Sequence, residues 1–300
     1  MRWLLILSGL IAILLYSGAP GRTPAAKLPT REPVEPIPHL GRDFDASRTG
    51  KLVGHIRWEG PRPTVPGFRT PRILLGQATW LSAENPLAPQ IQTAMPGMPA
   101  GVAGVLIELR GVRLARSKEW NLGPVTVHTR NTQIGIEQDG RPFASVGVVR
   151  RGESVRLASE APGVESLRAR GAAFFTLAMP SAGSVAERKL DHAGLVEWSS
   201  AVGNFWARAY VAVSDHPYWA VTDAEGKFEL SEIPEGEYEW VATLPSWRVV
   251  SEERDPELMW TMRQTYAAPV SHTERVRIAA GERQTVRAAF RESDFPVTGR

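Results

Sequence analysis

The chain has 300 residues, 43% of them apolar and 22% charged, a globular composition long enough for two ordinary domains and a tail. A net charge of only +3, with no dense run of basic residues, argues against a nucleic-acid surface. The absence of cysteine rules out disulfides, thiolate nucleophiles, zinc–thiolate sites and iron–sulfur clusters.

The chain opens MRWLLILSGLIAILLYSGAPGR, with Arg2 ahead of an apolar run from Trp3 to Tyr16. That run has signal-peptide length and falls short of the roughly 20 apolar residues of a spanning helix. Residues 1–19 therefore read as a signal peptide or, because Pro20 would hinder cleavage after Ala19, as an uncleaved N-terminal anchor. Either way the chain is expected to be extracytoplasmic, touching a membrane only through this segment. Residues 20–47 read as a proline-rich spacer.

From Thr49 onward the pattern is that of strands. GKLVGHIRWEG places Leu52, Gly54, Ile56 and Trp58 on one face and Val53, His55 and Arg57 on the other, so His55 reads as a surface or satisfied histidine. The run from Val102 to Leu109 reads as one near-continuous strand buried on both faces. Shorter strands follow at 125–131 and 133–140. Residues 144–159 read as a hairpin around Arg151-Gly152, with Val155 and Leu157 inward. GAAFFTLAMP, GLVEWSSAVG and FWARAYVAVSDHPYWAVTD continue the pattern to Asp223.

In VTDAEGKFELSEIPEGEYEWVATLP, a calcium loop with Gly226 at its sixth position would put Asp223, Glu225 and Glu232 on ligand positions. Its first position would be Val221, which has no ligand oxygen. A hairpin accounts for the stretch better: a turn at Asp223-Ala224-Glu225-Gly226, then Phe228 and Leu230 inward. A second turn at Pro234-Glu235-Gly236 leads to Tyr238, Trp240, Ala242 and Leu244, again inward. Ser214, Asp215 and His216 are consecutive on an extended segment and cannot form a catalytic triad. ERDPELMWTMRQTY (253–266) is either a short helix or a decorated loop. The last strands carry Val276 and Ile278, turn at Gly281, and resume with Val286, Ala288 and Phe290. The fold class is mainly β.

Thr222, Asp223, Gly226, Phe228, Pro234, Gly236 and Tyr238 match a Thr-Asp-x-x-Gly-x-Phe turn followed by Pro-x-Gly-x-Tyr. That segment resembles the carboxypeptidase regulatory-like family, whose fold is a seven-stranded transthyretin-like β-sandwich. Strands like its first ones, GKLVGHIRWEG and GVAGVLIELRGV, lie far upstream, so the resemblance implies a discontinuous sandwich of residues 48–112 and 216–292. The interval 113–215, on the strength of VVRRGESVRL and the segment from Gly194, resembles the cupredoxin-like domains of methylamine-utilisation and plastocyanin-type proteins. Aligned on Trp206, Arg208 and Tyr210, the copper-ligand positions of that family fall on Glu165, Ala201, Asn204 and Ala207. Type 1 copper needs a thiolate and two imidazoles, and none stands there. The resemblance thus implies two β-sandwich domains, the second a degenerate cupredoxin whose core persists while its ligand end is freed for another use.

No Gly-x-Ser-x-Gly, His-Glu-x-x-His, Walker or dinucleotide-binding motif is present. Of the ten tryptophans, Trp58, Trp198 and Trp240 read as core. Trp219, Trp247 and Trp260, with Arg248 nearby, are the candidate ligand-contacting group, since aromatic platforms with polar forks suit sugar rings or partner proteins. The reading is a non-catalytic envelope protein, a binding or scaffolding module for an envelope polysaccharide or protein, without cofactor or metal. One alternative is a metal or redox protein with a non-blue site from His128, His192 or His216. Another is a carbohydrate-active hydrolase or lyase built on paired carboxylates.

Overall fold

The computed structural model describes residues 41–74, 77–92, 100–257 and 260–295. The signal or anchor segment and residues 20–40 of the spacer lie outside the described residues. In chain order the strands begin with β1 (Thr49–Glu59), β2 (Phe68–Leu74), β3 (Gln77–Ala83), β4 (Gln90–Ile91), β5 (Val102–Ala103) and β6 (Leu106–Arg110). Next come β7 (Thr126–Arg130), β8 (Gln133–Gln138), β9 (Arg141–Ala144), β10 (Val146–Arg150), β11 (Ser154–Ser159) and β12 (Glu165–Gly171). They continue with β13 (Phe175–Met179), β14 (Val185–Lys189), β15 (Gly194–Ser200), β16 (Arg208–Ser214), β17 (Trp219–Val221) and β18 (Lys227–Pro234). The last are β19 (Gly236–Leu244), β20 (Val249–Arg254), β21 (Thr261–Tyr266), β22 (Val270–Ile278) and β23 (Arg283–Arg291). The molecule is a mainly β sandwich protein.

Two sheets, ordered β18-β1-β23 and β17-β6-β19-β22, share one core that includes Leu52, Ile56, Ile107, Leu109, Trp240 and Phe290. β1 shows why the sequence makes a strand here: Leu52, Ile56 and Trp58 are buried while Lys51 and Glu59 reach solvent. It pairs antiparallel with β18 and parallel with β23. Each fully buried aliphatic side chain of this kind contributes about 1.5–3 kcal/mol.

Two further sheets, β14-β11-β7-β8-β9 and β10-β16-β15-β12-β13, enclose a second core around Val127, Ile136, Leu157, Leu167, Trp198 and Val211. β16 is buried at all seven of its residues, because both of its faces are covered. Ala209, Val211 and Val213 point into the second core, whereas Tyr210 joins the first. Ala212 packs with Leu106 and Val148 in a small seam cluster that Trp219 and Val221 flank. One strand therefore walls two cores.

Several expectations need correction. The run from Val102 to Leu109 is not one strand: Gly104, at φ +74, breaks it into β5 and β6. Residues 144–159 are not a hairpin, since β10 pairs in parallel with β16 while β11 pairs with β7 and β14 in the opposite sheet. Arg151-Gly152 is where the chain crosses between sheets, and the Gly152 N–H donates to the Leu190 carbonyl at 2.7 Å. The turn at 223–226 forms, with Gly226 at φ +78 and Asp223 Oδ1 accepting from the N–H groups of Glu225 and Lys227. The strands on either side of it do not pair, however: β17 belongs to one sheet and β18 to the other, and the same holds for β18 and β19. Alternation fixes which side of a strand is buried but not which strand lies beside it.

The described residues of 253–266 contain no helix; β20 and β21 form an antiparallel ribbon in which Gln264 and Tyr266 are buried. The end of the proposed spacer is not free either. Gly41 and Asp43 donate backbone hydrogen bonds to the Leu114 and Ala115 carbonyls at 3.2 and 2.7 Å, which ties residues 41–47 to the folded body.

Candidate functional site

Of the four positions that the cupredoxin resemblance assigns to metal ligands, two are in side-chain contact. Glu165 opens β12, and Ala201, Asn204 and Ala207 lie on the connection from β15 to β16. Asn204 Nδ2 donates to Glu165 Oε1 at 2.9 Å, with both side chains buried. The Ala201 N–H donates to the Ser166 carbonyl and the Ala207 N–H to the Asn204 carbonyl, each at 2.9 Å. Where a metal would need four lone pairs, the chain supplies two methyl groups and a carboxylate–carboxamide bond.

The aromatic pair beside this end is covered, whereas Val202 is exposed and Ala201 and Phe205 line a cleft. Phe68 from the β2–β3 ribbon stacks on Trp206 at 6.3 Å between ring centroids and meets Phe205 edge-on at 5.9 Å. Trp206 Nε1 donates to the Thr132 carbonyl at 3.0 Å, and the Tyr266 hydroxyl, from the β20–β21 ribbon, donates to the Trp206 carbonyl at 3.0 Å. Two ribbons remote in sequence clamp the aromatic pair Phe205-Trp206, because large apolar rings on a connecting loop are stabilised by burial.

The histidines have other partners. His55 Nε2 lies 2.8 Å from the Glu225 carbonyl. His128 sits between Glu137, 2.8 Å from Nε2, and Glu160, 3.3 Å from Nδ1. His192 is exposed before β15, and His216 lies in the seam. Among the described residues, no group of three or more His, Asp and Glu side chains is placed to hold a metal ion.

The aromatic candidates separate. Trp58, Trp198 and Trp240 are core residues. Trp247 is only 2% exposed and packs against Trp58 at 6.0 Å and Phe295 at 4.3 Å, so its ring offers no platform to a ligand. Its alternation-free surroundings gave no sign of this burial in the sequence. Arg248 lies over the Trp247 ring and donates to Glu292 at 2.7 Å. Trp260 is half-buried, with its carbonyl accepting from the Asp255 N–H at 2.8 Å. Trp219 lines a seam cleft of about 620 Å³ with His216, Leu106, Glu108 and Leu195, to which Trp247, Arg248 and Trp260 do not contribute. Its Nε1 donates to Ser214 Oγ at 2.8 Å and its ring stacks on His216 at 6.3 Å.

Burial pushes the His216 imidazole down to about 4, with Asp215 pulling weakly the other way. The unfolded chain takes up this proton near pH 6.5 and the folded chain only near 4, so stability falls as pH drops through that window. Acidification from pH 7 to 4.5 is expected to remove about 2 kcal/mol through this group. Denaturant titrations at several pH values check it: His216→Asn should flatten the pH dependence, and an unchanged slope would refute the assignment.

A second cleft, of about 630 Å³, was not anticipated. It lies over the outer face of the β12, β15 and β16 strands and under the β20–β21 ribbon. The strand register aligns Arg168, Ser199 and Arg208 in one cross-strand row and Arg170, Glu197 and Tyr210 in the next. The ribbon adds Glu253, Met262, Arg263, Gln264 and Tyr266. Arg208 is buried: its terminal nitrogens donate to the carbonyls of Ala207 at 2.8 Å and Gln264 at 2.6 Å, and its Nε lies 3.3 Å from Glu197 without a hydrogen bond. Arg168 is held below its ordinary range by burial and then by the charges of Arg170, Arg263 and Arg208. Burial raises the phenols of Tyr210 and Tyr266 above theirs. The sequence signal was Leu-Arg-Ala-Arg at 167–170, where alternate arginines flank a buried alanine.

No protein-family model matches this chain, and no curated protein matches it. Among solved structures it is similar to a purple cupredoxin from Nitrosopumilus maritimus, at 12% identity and a TM-score of 0.24, over 31% of this chain and 99% of that one. The chain is thus a mainly β sandwich protein with a distant cupredoxin as a structural neighbour.

Proposed function

We propose that this chain is a non-catalytic, exported envelope protein that binds a ligand on its surface and carries no redox metal. The observation that supports this best is the buried Glu165–Asn204 hydrogen bond at 2.9 Å, between two of the positions that the sequence resemblance assigns to copper ligands. A chain without cysteine cannot supply the thiolate of a blue-copper site, and none of the four aligned positions is a histidine. The hydrolase reading has less support. The two carboxylates in the arginine cleft, Glu197 and Glu253, face Arg208 and Arg263 at 3.3 and 3.7 Å, so both are paired with cations rather than poised as an acid and a base.

Metal analysis of the purified chain, loaded with copper and then dialysed exhaustively, tests the reading. Well below one equivalent of copper is the expected result. Retention of about one tightly held copper per chain, the stoichiometry of a mononuclear site, would overturn it.

A further inference from the structure

We propose that the arginine cleft binds a small hydroxylated organic anion, a sugar acid or a sugar phosphate; this rests on the reading of the chain as a binding module. Four guanidinium groups line the cleft against two carboxylates. The terminal nitrogens of Arg208 are committed to backbone carbonyls and its Nε lies beside Glu197 without a hydrogen bond, and Arg263 lies 3.7 Å from Glu253. Arg168 and Arg170 remain. They are two residues apart on β12, so both point to the same face with their Cα atoms about 7 Å apart.

Like charges held this close repel unless an anion lies between them. Planar guanidinium forks bind carboxylate and phosphate oxygens through paired hydrogen bonds, which makes oxyanions the matching class.

Two further atoms point to a ligand that also carries hydroxyl groups. Arg170 Nε is buried without a hydrogen-bond partner, and so is Gln264 Oε1, an acceptor on a residue only 3% exposed. The orientation of that carboxamide is set by its Nε2, which donates to Glu252 at 2.7 Å. A lone oxyanion satisfies the donor and leaves the acceptor unmet, whereas a hydroxylated anion satisfies both. The volume of about 630 Å³ suits a body of one or two sugar rings. The half-open rim of Met262, Ala267, Ala268 and Pro269 supplies an apolar edge for a ring face.

Isothermal titration of the full-length chain at low ionic strength, with sodium D-glucuronate, D-glucose 6-phosphate and D-glucose as separate probes, tests the proposal. At least one anion should bind ten times or more tightly than glucose, and which anion does so tells carboxylate from phosphate recognition. Arg168→Gln and Arg170→Gln should each weaken that binding about tenfold or more, as expected for losing a charge-assisted hydrogen bond. Arg277→Gln, outside the cleft, should leave it unchanged. Equal binding of glucose and the anions, no binding of any probe, or full binding by the Arg168→Gln/Arg170→Gln double variant would overturn the site. Thermal melts of each variant separate lost binding from lost folding. If no anion binds and no copper is retained, the anion site fails while the binding-module reading stands; retained copper would sink that reading itself.

Discussion

Replacing Trp247 by alanine is expected to lower folding stability by about 3–5 kcal/mol, the usual range for removing a buried tryptophan. The indole is packed between Trp58 and Phe295, and Phe295 also stacks on Trp58 at 6.2 Å. The three rings form a plug at one end of the first core, and the ring system of Trp247 is too large for its neighbours to collapse into the space it leaves. In a chain of this size the midpoint of thermal unfolding should fall by on the order of 10 °C. Scanning calorimetry distinguishes this from a surface role: a variant that melts like the wild type but loses a ligand would show that Trp247 is a contact residue after all. Because Arg248 lies over the same ring at 5.4 Å, Arg248→Ala should cost far less, since its ion pair with Glu292 is partly exposed.

Gly226→Ala should be nearly as damaging, at about 4 kcal/mol. At φ +78 an alanine bears the roughly 1–2 kcal/mol penalty of the left-handed region. More important, its Cβ would lie 2.2 Å from the Ile56 carbonyl oxygen and 2.8 Å from the Val102 N, both of them backbone atoms that cannot rotate away. The Ile56 N–H also donates to the Gly226 carbonyl at 2.7 Å, so the turn is laid against β1 backbone to backbone. The opposing Gly101 is equally constrained, with its own Cβ position 1.9 Å from the Glu225 carbonyl oxygen. Moving the turn would break that contact and push on β1, an overpacking cost that adds to the strain. Denaturant unfolding of the variant checks this; a loss below about 1 kcal/mol would mean that the turn relaxes freely.

Much of the fold was legible because burial in strands has a period of two. Val155, Leu157, Val276, Ile278, Tyr238 and Trp240 all face inward as their alternation requires. Partners were not legible: the crossings at Arg151-Gly152 and at Asp223-Gly226 look the same in sequence as hairpin turns. The β2–β3 ribbon escaped notice because Pro71 sits inside it, and a proline argues against a strand unless that strand is an edge. Alignment on Trp206, Arg208 and Tyr210 was enough to bring Glu165 and Asn204 into hydrogen-bonding distance. It carried no information on what covers the neighbouring Phe205 and Trp206, because Phe68 and Tyr266 arrive from distant ribbons. The arginine cleft was half visible in Leu167-Arg168-Ala169-Arg170, and its other half, Arg263 and Gln264, depends on where the β20–β21 ribbon lands.

The parallel pairing of β1 with β23 sets an order on assembly. Every strand of the two five-stranded sheets falls between Thr126 and Ser214, so that half has all its pieces once β16 has been made. β1, synthesised first, must wait for Arg283–Arg291 before its second edge is paired. Until then it presents unsatisfied backbone groups beside an apolar face, the template on which chains join one another. The finished β16 offers Tyr210 and Ala212 as a surface on which the later strands can settle. A chain stopped short of β23 would therefore hold one completed half joined to an adhesive edge, which makes aggregation rather than simple loss of function the expected fate of C-terminal truncations.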